Sequence, residues 1–482
     1  MLHPRPTDRR SSATPLTRAR WLLMGLFALQ GLTFASWLAR LPAVRDALGM
    51  SPSELGVVLL AGAVGGLLTV AVAGMVVARF GGLVTLNTAT AAFAASFLLL
   101  GIGPALGSTP LLVAGVFLGG VSAALGNVPL NVESAAVERR MGRSVLPQFH
   151  AVFSIGAVLG SLAGAVTAHF EISLLTQFAV TAVVGAAIRL ASSPHVILDT
   201  PSPRGRAARA GAAVAGDVLD GVVLGHALTP GADPAAHAIP LASTLRGSGL
   251  RTALAAWREP RTLLIGLVIM AAALSEGAAN DWVALAVVDG FDQAESVGAA
   301  FFGMFLAAMT AVRLLGTRLL DRHDPVLVLR ISGIVSLVGL LLFGFAPTLP
   351  LAGVGVVAWG LGAALAFPIG ISAASADPLR AAGRVAVISA FASIASLAAP
   401  PLLGIVAESL GTRRALVLIT IAMVISVSLA RHVAPADSRD LADSTRPAGS
   451  GEPETWGRPV TDHAVGASEE LTPAGAIAAG AR

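Results

Sequence analysis

Two pairs of polar residues, each pair four residues apart and set in an otherwise apolar run, are where this sequence could do chemistry: Asn127 with Asn131, and Glu276 with Asn280. On a helix such pairs share a face. Each then offers the convergent donors and acceptors that a hydroxylated solute needs. Gln30 stands alone in an earlier apolar run. Glu276 adds a charge. It reads either as a proton carrier whose state alternates with a bound solute, or as a structural acid paired with an interhelical donor such as Asn or Arg. Asp281 and Trp282 follow it, the first as a second proton-coupling candidate or a gate, the second as an interface anchor. His150 could relay protons or make a packing or interface hydrogen bond.

The elements that carry these residues are twelve apolar stretches, at 21–39, 54–78, 83–103, 110–137, 146–168, 171–191, 262–288, 296–319, 326–346, 350–375, 384–408 and 412–431. Each is long enough for a helix rising ~1.5 Å per residue to cross ~30 Å of hydrocarbon. The chain has no lysine, and its 32 basic residues are all Arg. Of these, 27 lie before the first stretch, after the last, or in or at the edge of every second gap, Arg40, Arg45, Arg413 and Arg414 lie in or at the edge of the other gaps, and only Arg313 falls well inside a stretch. Positive charge is retained in the cytoplasm, so both termini and the long central loop are expected there. Heavy Ala, Gly and Arg usage points to a bacterial inner membrane.

Mean hydropathy of +0.78 excludes an ordinary soluble enzyme. The pI near 11.0 is not a nucleic-acid signal, because the arginines are spread over alternate loops and the net charge is only +4. Zero cysteines exclude disulfides and Cys-ligated metal centres. Without lysine there is no phosphate-binding Gly-x-x-x-x-Gly-Lys loop, so no nucleotide, metal or other cofactor is expected, and no catalysis. Residues 1–18 and 433–482 read as disordered cytoplasmic tails. Residues 192–258 read as a cytoplasmic linker. The six-helix halves are then 19–191 and 259–432, in an all-α membrane protein.

The halves repeat each other. Gly56 and Gly74 match Gly298 and Gly316 at a constant offset of 242, and Pro129 and Pro368 fall at the same place in the fourth and tenth stretches. Prolines at matching positions are the mark of repeat-built carriers with interrupted helices near the binding site. By depth, Gln30, Asn127 and Glu276 come near the midplane. Polar side chains there are costly and persist where they face water, a solute or a partner. Arg313 sits within the eighth stretch, to snorkel or to pair with an acid. Gly156, Gly160 and Gly164 mark close helix packing.

The run from Gly74 through Ala78-Arg79-Phe80-Gly81-Gly82, and the run from Gly316 through Asp321-Arg322-His323-Asp324, resemble the signature loop of the major facilitator superfamily. Ala78 stands where an acid is usual and Asp324 where a glycine is usual. A narrower resemblance, to the fucose-permease-like branch that includes rhizopine-locus membrane proteins, is carried by three runs. They are Asn127 to Arg143, Phe149-His150-Ala151-Val152-Phe153-Ser154-Ile155-Gly156, and Glu276-Gly277-Ala278-Ala279-Asn280-Asp281-Trp282. The resemblance implies two pseudo-symmetric six-helix halves and transport of small polar, often sugar-like solutes. It also implies a cytoplasmic gate in the loops, to which Arg79, Asp321 and Arg322 would belong, or these arginines are simple positive-inside anchors. Glu133 and Glu138, near Arg139 and Arg140, are expected to form salt bridges closing the inner side.

The expectation is thus a secondary transporter working by alternating access. Glu276, Asp281 and His150 would couple protons, and Gln30, Asn127, Asn131 and Asn280 would bind the solute. Its partners would be a small solute, protons and the bilayer, with no nucleic acid, and a monomer would suffice. A drug or metabolite efflux antiporter and a non-transporting sensor or scaffold are the alternatives.

Overall fold

The computed structural model describes residues 15–143, 145–198, 255–377 and 380–434. The expected tails and the expected central linker lie almost wholly outside the described residues. Among the described residues, twelve helices are long and apolar enough to cross a membrane: α1 Pro15–Leu38, α2 Pro52–Phe80, α3 Gly82–Ala105, α4 Thr109–Met141, α5 Leu146–His169, α6 Leu174–Val196, α7 Pro260–Phe291, α8 Glu295–Arg322, α9 Pro325–Phe345, α10 Leu349–Ser375, α11 Ala381–Leu410 and α12 Thr412–Val433. A short helix, Leu41–Leu48, joins α1 to α2.

Local chemistry sets the helix starts. Pro52 occupies the first turn of α2, where its missing N–H costs nothing. Ser51 and Glu54 close a capping box there, with Ser51 N–H donating to Glu54 Oε2 at 2.9 Å. Asp324 caps α9 through the Val326 N–H at 3.3 Å.

The two matched prolines behave differently. α4 runs through Pro129 without a break. α10 breaks at Ala364–Leu365 into Leu349–Ala363 and Ala366–Ser375. Pro368 has no N–H to give to the carbonyl of Ala364, four residues back. That carbonyl instead accepts from Arg313 Nε at 3.3 Å.

The same pairings recur in both halves. α1 packs on α5 as α7 packs on α11; α3 packs on α4 and α6 as α9 packs on α10 and α12; α2 packs on α4 as α8 packs on α10. The halves meet through α2 against α11 and α5 against α8. This is the two-half, twelve-helix architecture the sequence leads one to expect. Backbones touch along α1 and α5, where a Cβ on Gly156 or Gly160 would overlap the carbonyl oxygens of Ala28 and Leu32. Such contact lets van der Waals packing replace the hydrophobic drive that lipid removes.

Gly160→Val should therefore force α1 and α5 apart. The expected cost is about 1–3 kcal/mol, read as a lower melting temperature in detergent. An unchanged melting temperature would mean that this seam does not set stability.

Candidate functional site

Arg313 projects from α8 into the second half and is 3% exposed. Its Nη2 meets Glu276 Oε2 of α7 at 2.9 Å, while its Nε holds the stranded Ala364 carbonyl of α10. One guanidinium thus joins three helices. Of the two readings open for Glu276, the structure has the carboxylate paired with an interhelical arginine. Asn280, one turn on, is buried and its Oδ1 has no hydrogen-bond partner among the described residues. Trp282 is 1% exposed in the core, not anchored at an interface as expected.

A cavity of about 300 Å³ lies between the halves, at the small end of ligand-sized pockets. The first half supplies most of its wall, including Gln30, Asn127, Phe93, Phe97 and Arg189. α7 contributes Asp281, and α11 contributes Ser393, Ser396, Leu397 and Pro400. Gln30 Nε2 donates to Asn127 Oδ1 at 2.6 Å, so two of the expected binding residues meet. Asn131, Asn280 and Glu276 do not line this cavity.

Several polar groups of the wall are already satisfied. Thr33, Ser96, Ser122 and Ser393 donate to the carbonyls of Leu29, Gly115, Ala89 and Ser389 at 2.7–2.9 Å. Arg189 and Asp281 differ: neither has a hydrogen bond or ion pair within the described residues. Arg189 is 7% exposed and lies over the Phe93 ring, 4.4 Å from its centroid. Stacking of that kind returns about 0.5–2 kcal/mol. Removing a guanidinium from water costs several kcal/mol.

Sequence reading missed Arg189, counting it with the arginines of the following cytoplasmic loop although it lies within the stretch 171–191. The apolar residues Val196, Ile197 and Leu198 beyond it were the available signal, since α6 runs on to Val196.

At the face where arginine is scarce, the halves are tied together by polar contacts. Arg45, in the short helix, grips Asp289 of α7 through Nη1 at 2.6 Å and Nη2 at 2.8 Å. The Asp289 carboxylate holds the Arg45 guanidinium above its ordinary pKa, against the opposing pull of burial, and Asp46 adds to the effect. Thr412 Oγ1 also donates to Asp289, at 3.3 Å. Arg40 forms an ion pair with Glu295 of α8 at 2.6 Å, without an aligned N–H bond. Its Nη1 donates to Gln177 Oε1 at 2.7 Å and its Nη2 to the Ile172 carbonyl at 3.2 Å. Ser53 N–H donates to Glu408 of α11 at 3.1 Å, and Ser161 of α5 donates to the Ala299 carbonyl of α8 at 2.7 Å.

At the arginine-rich face, Glu138 accepts the amides of Val145 and Leu146 at 2.7 and 2.8 Å, fastening the start of α5 to the end of α4. Glu133 accepts the Leu198 amide at 3.1 Å. Arg79, over the Phe80 ring, is exposed, as are Asp321 and Arg322. His150 sits edge-on to Phe27 at 5.7 Å, with Nδ1 buried and without a partner among the described residues. In the second half Glu259 binds Arg384 Nε at 2.7 Å and Thr262 Oγ1 at 2.8 Å. Partial burial pushes its pKa up, but these donors outweigh that and hold it below the usual carboxylate value.

The Major Facilitator Superfamily model matches residues 22–386. An uncharacterised transporter of Sinorhizobium fredii is 30% identical over 385 residues, covering 80% of this chain and 89% of that protein. The membrane protein MosC of Rhizobium meliloti is 24% identical over 411 residues, covering 84% and 89%. Among solved structures, the nucleoside transporter NupG shares the fold with a TM-score of 0.63 at 14% identity, covering 86% of this chain and 98% of that one.

The buried tie yields a stability test. Glu276→Ala strands the Arg313 charge, at an expected cost of about 3–5 kcal/mol. Adding Arg313→Met should restore much of it, leaving only the Ala364 carbonyl unserved. A double variant that melts no higher than the single one would show that the pair is not the source of the loss.

Proposed function

The chain belongs to the major facilitator superfamily, and from that premise we propose that it is a proton-coupled secondary transporter. Its solute is small, polar and hydroxylated, of sugar or cyclitol size, and crosses the cytoplasmic membrane of a bacterium by alternating access. The observation that carries this reading is the cavity between two repeated halves, with cross-half polar ties at one face. In alternating access two halves rock about a site that opens to one side at a time.

The orientation follows from charge. The face with 27 arginines is cytoplasmic and the face with four is external. The Arg45–Asp289 and Arg40–Glu295 pairs are then an outer gate, closed in this state. Gln30 and Asn127 bind the hydroxyls, and Asn131 and Asn280 complete the contacts when the halves rock. Asp281, on the cavity wall without a partner among the described residues, takes the coupling proton. Glu276 joins the cycle only when Arg313 releases it, and His150 serves the inner approach. Arg79, Asp321, Arg322, Glu133 and Glu138 form the inner face.

Two experiments test this. In proteoliposomes with an imposed pH gradient, Asp281→Asn should abolish proton-driven accumulation of the solute that most raises the melting temperature across a sugar and cyclitol library. Accumulation that survives would remove Asp281 from the coupling role. Because the chain has no cysteine, Leu59→Cys on the cavity wall can be labelled from outside with an impermeant maleimide. Adding Arg45→Ala should speed labelling roughly fivefold, as expected for losing ~1 kcal/mol of gate contact. Equal rates would sink the gate assignment.

A further inference from the structure

Resting on the transporter reading, we propose that the transported solute carries a carboxylate and that Arg189 binds it. Among the described residues lining the cavity, Arg189 is the one basic side chain. It is buried, stacked on Phe93, and free of hydrogen bonds and ion pairs within the described residues. The surrounding hydroxyls are turned to backbone carbonyls, and Gln30 and Asn127 bind each other. The cavity therefore holds one cation prepared to receive an anion. No ion pair joins it to Asp281 in this state, although both line the cavity.

The chemistry selects within the anions. A guanidinium presents a planar fork that matches both oxygens of a carboxylate. A phosphate dianion would bring about two negative charges to a cavity whose lining offers one basic side chain and already includes the Asp281 carboxyl. A single carboxylate balances a single Arg189. The amide pair Gln30–Asn127 then meets the hydroxylated remainder, and the Phe93 and Phe97 rings bound its apolar side.

The test pairs acids with neutral counterparts of like size. Glucuronate and quinate are compared with glucose and myo-inositol at fixed ionic strength, by melting temperature of the purified full-length protein. The acids are expected to stabilise and the neutral members not. Arg189→Gln should weaken the acids roughly 30-fold or more, and Arg189→Lys should restore part of that. Unliganded melting temperatures report whether each variant folds, and the wild-type comparison stands without either variant. Equal stabilisation by acids and neutral members is the outcome expected if Arg189 instead pairs with Asp281 in other states. That result, or undiminished acid binding by Arg189→Gln, overturns the carboxylate assignment and leaves the transporter reading intact. Stabilisation by no member of either kind overturns both.

Discussion

A proline inside a membrane helix strands one carbonyl, and hydrocarbon has no hydrogen to give it. In the second half that carbonyl is Ala364, and the group that reaches it is Arg313. A guanidinium in that place then needs a counter-charge, which Glu276 supplies. Each group makes the next one necessary, and the sequence of needs runs from α10 through α8 to α7. The break in α10, the arginine within α8 and the acid within α7 are one feature. A buried pair of this kind adds little net stability over apolar packing, but neither partner can be lost alone.

The first half meets the same position without charge. Pro129 leaves α4 unbroken, and the polar contact there is the neutral Gln30–Asn127 pair. Its arginine, Arg189, stands apart with an aromatic ring beneath it and open space before it. The repeat has therefore diverged in electrostatics while keeping its packing. The second half has its buried arginine paired internally. The other presents an unmatched charge to the cavity, which gives the two halves different work in any cycle of opening and closing.

The fold was legible because it rests on long-range regularities. Apolar runs of sufficient length, arginine in alternate gaps and prolines at matching positions each repeat along the chain, and one misjudged residue does not disturb them. The site was legible only in part, because it depends on which face of a helix looks where. Gln30 and Asn127 lie 97 residues apart and meet across α1 and α4. Glu276 stood out as an acid in an apolar run, yet nothing in its neighbourhood in sequence distinguishes a free carboxylate from one held by Arg313. Arg189, two residues inside the expected end of its stretch, was counted with the loop arginines, although the helix runs on to Val196. Asp281, expected as a proton carrier or a gate, has its side chain on the cavity wall. Trp282, beside it, points the other way into the core. Adjacent positions on a helix diverge by ~100°, which depth along the axis does not resolve.

The Arg45–Asp289 bond has one further property: it is not sealed from its surroundings. Its side chains are 14% and 27% exposed, at the rim of the bundle and not in its core. Charges so placed are screened by dissolved ions over a length of about 10 Å at 0.1 M salt. In direct contact and partly buried, the pair feels that screening only weakly, so concentrated salt loosens this tie between the halves slightly and dilute surroundings leave it at full strength. The buried Arg313–Glu276 tie, out of reach of ions, keeps its strength in both, so the same molecule holds one joint that answers to its environment and one that does not.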